Sequence, residues 1–229
     1  MIKQLLAIGI AAALLVGGAN TVGPTLAEEG VYQALSQKMT LQRSDVHVTA
    51  SPGGEVFLGK LDAVQIHSNQ FQVGDIPFES FDCVLEHVTF DPVATIANQN
   101  LTLGQAEKGE MTATVRRQAL EKFLLQKVDN LSDASVEFAG KHVVISGTLP
   151  VGGIFSAHAV IRGAFGMNGT KLMFIPQGVT VEGLGLKYKA DNIGDAEIYD
   201  FKAFPLGIQP DSVTMDGDIL TIHGQVRNS

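Results

Sequence analysis

The sequence predicts an α+β protein in which a curved antiparallel sheet carries one long helix laid against it. Short segments rich in Val, Ile, Thr and Phe alternate with turns, and the 229 residues include 25 glycines and no tryptophan. This composition is typical of antiparallel strands joined by tight connections. Only residues 112–133 combine length with helical periodicity. Because no linker or low-complexity segment interrupts residues 28–229, we expect them to form a single domain.

The first 27 residues have the features of a secretory signal. Lys3 is the only charge in this segment, and residues 5–16 are almost entirely apolar. Such a run is too short to span a bilayer comfortably but suits the centre of a signal peptide. The small residues before position 28 predict cleavage after Ala27, with Ala19 as the second choice and an uncleaved anchor as the alternative. We therefore expect an exported protein, located in the periplasm or elsewhere outside the cytoplasm.

The charge argues against a nucleic-acid-binding protein, and the cysteine content rules out a protein stabilised by internal disulfides. The net charge is −8, and it becomes −9 when the signal carrying Lys3 is removed. A protein this acidic lacks the broad basic face that nucleic acids require, so we expect no nucleic-acid partner. Cys83 is the single cysteine, which rules out an internal disulfide. It lies in an alternating segment and is interpreted as a small buried residue.

The elements before the long helix follow in chain order. Residues 28–40 predict a short amphipathic helix, because Val31, Leu35 and Met39 recur at helical spacing. The sequence then changes to short segments of β-branched or aromatic residues, separated by turns that contain Gly, Pro and Asn. We expect strands at residues 46–50, 60–68, 71–76 and 81–90.

The long helix is predicted over residues 112–133. Thr112 or Thr114 is suited to cap its start, and Asn130 to Asp133 mark its end. Its apolar residues form one stripe, and the charged residues fall largely elsewhere. The stripe consists of Leu120, Phe123, Leu124, Val128 and Leu131.

Hairpins are predicted after the helix. The turn dipeptides are Ala139-Gly140, Asn168-Gly169 and Asp216-Gly217. Two of the hairpins are related, because residues 136–147 (VEFAGKHVVISG) align without gaps with residues 213–224 (VTMDGDILTIHG). This repeat favours a sheet built from similar units over a parallel nucleotide-binding sheet.

Motifs for catalysis are not found. Gly54 to Lys60 have the spacing of a phosphate-binding loop, but Leu61 replaces the hydroxyl residue and a strand follows in place of a helix. There is no G-x-S-x-G elbow, and the six histidines are scattered without metal-ligand spacing. Acids between Asp62 and Glu86 could form a pair for glycoside hydrolysis only if the fold brought two together. We predict no catalytic residues, no metal and no cofactor.

The order of the segments resembles a known family. The pattern begins with V-x-V-x-A-x-P…F-L-G-K-L-D-A-V-x-I at residues 46–66, followed by G-x-M-x-A-x-V and the helix at 109–131. It continues with V-x-F-x-G-x-x-V-x-I-x-G at 136–147, F-I-P at 174–176 and L-x-I-x-G at 220–224. Over residues 30 to 226 this resembles the LmeA-type family of phospholipid-binding proteins.

The resemblance implies a tubular lipid-binding (TULIP, BPI-like) fold. In that fold a strongly curved antiparallel sheet wraps around a long amphipathic helix and leaves an apolar cavity between them. It also implies binding of phospholipids, anionic ones above all, outside the cytoplasm, and a part in maintaining the envelope. It carries over no catalytic residues.

Two sets of residues are expected to form the lipid site. The cavity lining is predicted to consist of Phe57, Leu58, Val64, Ile66, Leu120, Phe123, Leu124, Phe155 and Phe165. The cations expected to meet the lipid phosphate at its rim are Lys60, Arg116, Arg117 and Arg162.

The resulting hypothesis is an exported envelope protein that binds phospholipid without changing it and contacts a membrane surface transiently. It would serve lipid transfer or envelope maintenance. The first alternative is a structural or scaffolding protein with a fully packed interior. The second alternative is an envelope hydrolase or carbohydrate-active enzyme.

Overall fold

Three helices and fourteen strands make up the described part of the chain. The computed structural model describes residues 19–37, 39–69, 72–73, 76–98, 103–127, 129–151, 155–183, 186–190, 194–203 and 208–226. The helices are α1 (Ala19–Ser36), α2 (Pro92–Asn98) and α3 (Arg117–Lys127). Short 3-10 turns occupy Arg43–Asp45, Gly53–Leu58 and Phe201–Ala203.

The strands form two large antiparallel sheets and one small hairpin. Their bounds are Val46–Thr49 (β1), Lys60–Asn69 (β2), Gln72–Val73 (β3), Ile76–Pro77 (β4), Ser80–Thr89 (β5), Lys108–Arg116 (β6), Ala134–Ala139 (β7), His142–Val151 (β8), Phe155–Asn168 (β9), Lys171–Gly183 (β10), Leu186–Ala190 (β11), Ala196–Asp200 (β12), Ile208–Asp216 (β13) and Ile219–Val226 (β14). Sheet 1 has the order β1-β2-β5-β6-β14-β13. Sheet 2 has the order β11-β10-β9-β8-β7, with β12 also paired to β10, and β3 pairs only with β4.

Sheet 1 has a buried inner face and a polar outer face. Along β2 and β5 the buried residues alternate with exposed ones, as expected for a sheet with one face in water. Val64, Phe81 and Ile222 are each 0% exposed on the inner face. Cys83 belongs to the same face at 1% exposed, and burial raises its pKa to about 12. The interpretation of Cys83 as a small buried residue is therefore confirmed.

Two helices close the edges of the sheets. Helix α1 packs against β1, and Glu28 Oε2 accepts a hydrogen bond from the backbone amide of Val48 at 3.2 Å. Helix α3 packs against β7, where Glu121 Oε1 accepts a hydrogen bond from the amide of Val136 at 2.9 Å. The two sheets meet where β13 of sheet 1 packs against β7 and β9 of sheet 2. Sheet 1, sheet 2 and the two helices thus enclose one core.

The predicted hairpins and the repeat are confirmed. Gly140, Gly169 and Gly217 have positive φ angles of 65°, 59° and 56°, which glycine adopts at little cost. In the first repeat Val136 pairs with Ile145, and in the second Val213 pairs with Ile222, at the equivalent position. The repeated sequence therefore forms the β7–β8 and β13–β14 hairpins in one and the same register.

The predicted start of the long helix is wrong. Thr112 and Thr114 lie in strand β6, and helix α3 begins only at Arg117 and has 11 residues. Met111, Ala113 and Val115 alternate with the threonines and are buried on the inner face of sheet 1. Pairing with β5 and β14 on both sides therefore outweighs the helical pattern here. An antiparallel protein with helices packed on its sheets is confirmed, but one sheet wrapped around a long helix is not.

The N-terminal helix extends further than predicted. Helix α1 begins at Ala19 and ends at Ser36, before the predicted end at residue 40, so Met39 lies beyond it. Val31 and Leu35, which the helix contains, are 0% and 2% exposed as their spacing predicts, and Met39 is 4% exposed. Residues 1–18 of the predicted signal lie outside the described residues. No helix among the residues that the structure describes is long and apolar enough to cross a membrane.

Candidate functional site

The inner face of sheet 2 is apolar over its whole width. The antiparallel register places Val136, Ile145, Ile161 and Val179 in one row across β7, β8, β9 and β10. A second row, two residues further along, contains Gly147, Ala159, Val181 and Tyr188. Successive residues of a strand point to opposite faces, so both rows lie on the same side of the sheet.

The core covers only part of this face. Val136 on β7, the strand against which helix α3 packs, and Val143 on β8 are 1% and 0% exposed. Ile145 and Ile161 are half-buried and pack against the edge of the core cluster. Towards β11, the described core residues no longer pack against this face of the sheet. The open apolar patch is the name used here for four half-buried residues, Ile145, Ile161, Val179 and Val181, together with the exposed Tyr188.

The outer strands contribute the least covered part of the patch. Val179 and Val181 are half-buried but do not belong to the core cluster of the described residues. Tyr188 on β11 is 69% exposed. Among the described residues no layer fully covers this part of the sheet face, and a partly exposed apolar surface of this kind is a candidate site for a ligand or partner.

The chemistry of the patch is that of a hydrocarbon surface. Its side chains are aliphatic or aromatic, and the phenol of Tyr188 is the polar group among them. The intervening residues Ala159 and Gly183 are small, so the surface between the larger side chains stays shallow. Such a surface binds by excluding water from an apolar ligand.

The predicted lining residues lie in four separate places. Val64 and Ile66 are buried on the inner face of sheet 1, at 0% and 2% exposed. On helix α3, Leu120 is buried and Phe123 and Leu124 are half-buried. In the turn Gly53–Leu58, Phe57 is half-buried and Leu58 is 72% exposed.

Phe165 is the predicted residue that belongs to the inner face of sheet 2. Its ring contacts that of Phe174 edge to face, with 5.8 Å between the ring centroids. Phe155 lies in β9, but its side chain falls outside the described part of the chain. The structure thus does not gather the predicted set around one cavity, and their contact with lipid stays a prediction.

The four predicted cations are also dispersed. Arg116 forms an ion pair with Glu79, and Arg162 is exposed on the outer face of β9. Arg117 Nε donates to Asp218 Oδ1 at 3.0 Å, and its Nη1 donates to the carbonyl oxygen of Val136 at 3.3 Å. Arg117 therefore links helix α3 to both sheets.

Lys60 lines an open surface groove of about 480 Å³. Glu55, Asp62 and Glu107 line the same groove, and His87 Nδ1 lies 2.9 Å from a carboxylate oxygen of Glu107. Apolar side chains such as Leu61, Val88 and Ala106 also line the groove, so what distinguishes it from the open apolar patch is its three carboxylates. Gly59, at a φ of 76°, ends the turn and Lys60 opens strand β2, so the strand predicted to follow the glycine-lysine segment is confirmed.

Three histidines, His47, His67 and His87, follow one another at intervals of twenty residues in the sequence, and each lies beside a different carboxylate in the described structure. His47 Nδ1 lies 3.3 Å from Glu28, and His67 Nδ1 lies 2.5 Å from Asp82, so each has its own carboxylate. Within the described ranges, no group of three or more His, Cys, Asp or Glu side chains could hold a metal ion.

Sequence reasoning missed Ile145, Ile161, Val179, Val181 and Tyr188. The available signal was strict alternation: in GVTVEG (residues 178–183) the valines alternate with polar residues, and in LKYKA (186–190) the tyrosine stands between two lysines. Alternation identifies the apolar face of a strand, but it does not reveal whether another layer covers that face.

Comparison with known proteins identifies the family. Searches of curated proteins and of solved structures gave no significant match. The profile described as LmeA-like phospholipid-binding matches residues 18–225, which is nearly the whole chain. The apolar sheet face agrees with a family that binds lipids. This chain belongs to the LmeA-like phospholipid-binding family.

Proposed function

We propose that this protein binds a phospholipid whose acyl chains lie on the open apolar patch of sheet 2. The observation that carries the proposal is an apolar sheet face that the core leaves partly uncovered, in a member of a phospholipid-binding family. Ile161, Val179 and Val181 would contact the chains, and Tyr188 would stand at the outer end. The protein holds the lipid and does not react with it.

Burial of hydrocarbon supplies enough affinity for this role. Each methylene removed from water contributes about 0.8 kcal/mol. Ten methylenes on the patch would contribute roughly 8 kcal/mol, equivalent to a micromolar Kd before the cost of ordering the chain. Binding therefore requires only that most of one acyl chain is buried against the open apolar patch.

Lipid content of the purified protein tests the proposal. We expect native mass spectrometry to detect phospholipid on the wild-type protein after incubation with liposomes. Val179→Asp together with Val181→Asp places two charges on the patch and should abolish the bound mass, because burying a carboxylate is costly. The matched control is Val84→Asp, which alters a 42% exposed valine on the outer face of sheet 1.

The outcomes are distinct. Lipid on the wild type and on Val84→Asp, but not on the patch variant, supports the proposal, provided that circular dichroism shows the same fold for all three. A wild-type protein that never carries lipid overturns it and favours a scaffolding role for the exposed face.

We also propose that the protein acts outside the cytoplasm, for lipid transfer or envelope maintenance. The support is the apolar N-terminal segment of the sequence. Cleavage after Ala19 would remove only the first described residue of helix α1, whereas cleavage after Ala27 would divide the helix at a residue that is 6% exposed. The mass of the exported protein tests this: a chain beginning at Asn20 agrees with the fold, and one beginning at Glu28 contradicts that choice of site.

A further inference from the structure

We infer that the β11 edge of sheet 2 docks on an anionic phospholipid surface, with Tyr188 at the interface and Lys187 and Lys189 on lipid phosphates. This inference rests on the proposed lipid-binding function and adds the place at which the protein meets a membrane. Three observations carry it: an exposed aromatic side chain, a local basic cluster and continuity with the open apolar patch.

Tyr188 is exposed without a structural reason in the described residues. Its side chain is 69% exposed on the apolar side of the sheet, next to Val181 across the strand pair. A tyrosine combines an apolar ring with a polar tip, and this combination suits the boundary between acyl chains and headgroups. An aromatic residue at this place therefore fits a lipid surface better than water.

The opposite side of the same strand is basic. Lys187 and Lys189 are both exposed, and Arg162 is exposed on the same outer face, two strands away. Glu182 pairs with Lys187, and this contact lowers the pKa of the Glu182 carboxyl. Lys189 and Arg162 have no ion-pair partner among the described residues.

This basic cluster stands out because the whole chain carries a net charge of −8. Lys187, Lys189 and Arg162 outnumber Glu182, the carboxylate that pairs with Lys187, so this face of β9 to β11 has a local positive charge that complements anionic phospholipids. Lysines can extend along an apolar surface and place their ammonium groups at the phosphate level. The charges therefore select an anionic membrane as the partner.

The geometry connects the docking edge with the binding site. β11 is an edge strand, since β10 is its only partner among the described strands. Because Tyr188 belongs to the open apolar patch, a membrane at this edge is contiguous with Val181 and Val179 behind it. A lipid could then pass between bilayer and patch with little exposure of its chains to water.

A second exposed apolar site provides the competing surface. Leu58 is 72% exposed and Val93 is 76% exposed, and their backbones are close because Phe90 N donates to the carbonyl oxygen of Gly59 at 2.9 Å. Acidic residues, among them Glu55 and Asp91, lie beside this site. Its charge therefore favours an anionic surface less than the β11 edge does.

Vesicle flotation tests the inference. The wild-type protein is mixed with vesicles of phosphatidylcholine alone or of phosphatidylcholine with phosphatidylglycerol. We expect stronger binding to the mixed vesicles and weaker binding as salt is raised. Lys187→Glu with Lys189→Glu should lower binding to the mixed vesicles about tenfold or more, given the contribution of each cation near an anionic surface.

The controls separate docking from lipid binding. Leu58→Asp with Val93→Asp should float like the wild type. A short-chain phospholipid supplied as a monomer should bind the lysine variant as well as it binds the wild type. Unchanged flotation of the lysine variant, or loss of flotation only in the Leu58/Val93 variant, overturns the β11 assignment. Failure of every protein to bind the monomeric lipid overturns the proposed function itself.

Discussion

The β7–β8 and β13–β14 hairpins have the same pattern and the same register, yet different surroundings. In β13–β14 Ile222 is 0% exposed, whereas its counterpart in β7–β8, Ile145, is half-buried. On the first strand of each hairpin the order of exposure is reversed: Val136 in β7 is 1% exposed, whereas Val213 in β13 is half-buried. The local sequence therefore specifies the hairpin, and the neighbouring layer decides which of its side chains water reaches.

The cause of the difference lies in the strands beyond each hairpin. In sheet 1, β14 is an inner strand next to β6, whose Ala113 pairs with Ile222 under the core. In sheet 2, β8 leads through β9 and β10 towards β11, where cover ends. The β13–β14 repeat thus lies in sheet 1, and the β7–β8 repeat lies in sheet 2, whose outer strands carry the surface that we propose for lipid.

The largest effect is expected from truncating the two equivalent isoleucines. Ile222→Ala should lower the free energy of unfolding by about 2–5 kcal/mol, because it opens a cavity in the core. Ile145→Ala should cost roughly 1 kcal/mol, because less apolar area is buried there. Chemical denaturation of both variants measures the difference. Equal losses would show that the two hairpins are buried alike and would remove the basis of the comparison.

A smaller effect is expected where helix α3 holds the first hairpin. Glu121→Ala leaves the amide of Val136 without its acceptor and should cost about 1–3 kcal/mol. Hydrogen exchange of the Val136 amide should accelerate, while the control Glu137→Ala, an exposed acid on the same strand, should leave it unchanged. If exchange is unaffected by Glu121→Ala, the helix does not secure this edge.

The sequence predicted most strands and turns because their signals are local. Alternation along residues 81–90 and glycine at positions 140, 169 and 217 depend on neighbouring residues only. The start of helix α3 was misjudged for the opposite reason. Met111 to Val115 acquire their strand conformation from β5 and β14, which lie distant in sequence.

The site was harder to predict because exposure is a property of the whole fold. A large side chain such as Phe123 on a helix is a recognisable candidate for a lipid contact, whereas Val179 and Val181 have the alternation of any half-buried strand. What sets them apart is that the core cluster of the described residues does not include them, and no local pattern encodes this. The family was accessible from the order of its motifs, since that order spans residues 30 to 226.

The carboxylates of Glu28 and Glu121 bear on self-association. An edge strand with free amides can pair with another copy of the chain and start aggregation. Glu28 occupies the amide of Val48 at one edge of sheet 1, and Glu121 occupies that of Val136 at one edge of sheet 2. The pairing of a strand from a second molecule is therefore opposed at both edges. At the β11 edge, Lys187 and Lys189 would repel the same lysines of a second copy. A chain that leaves part of an apolar sheet face uncovered is thus protected from strand addition at these edges.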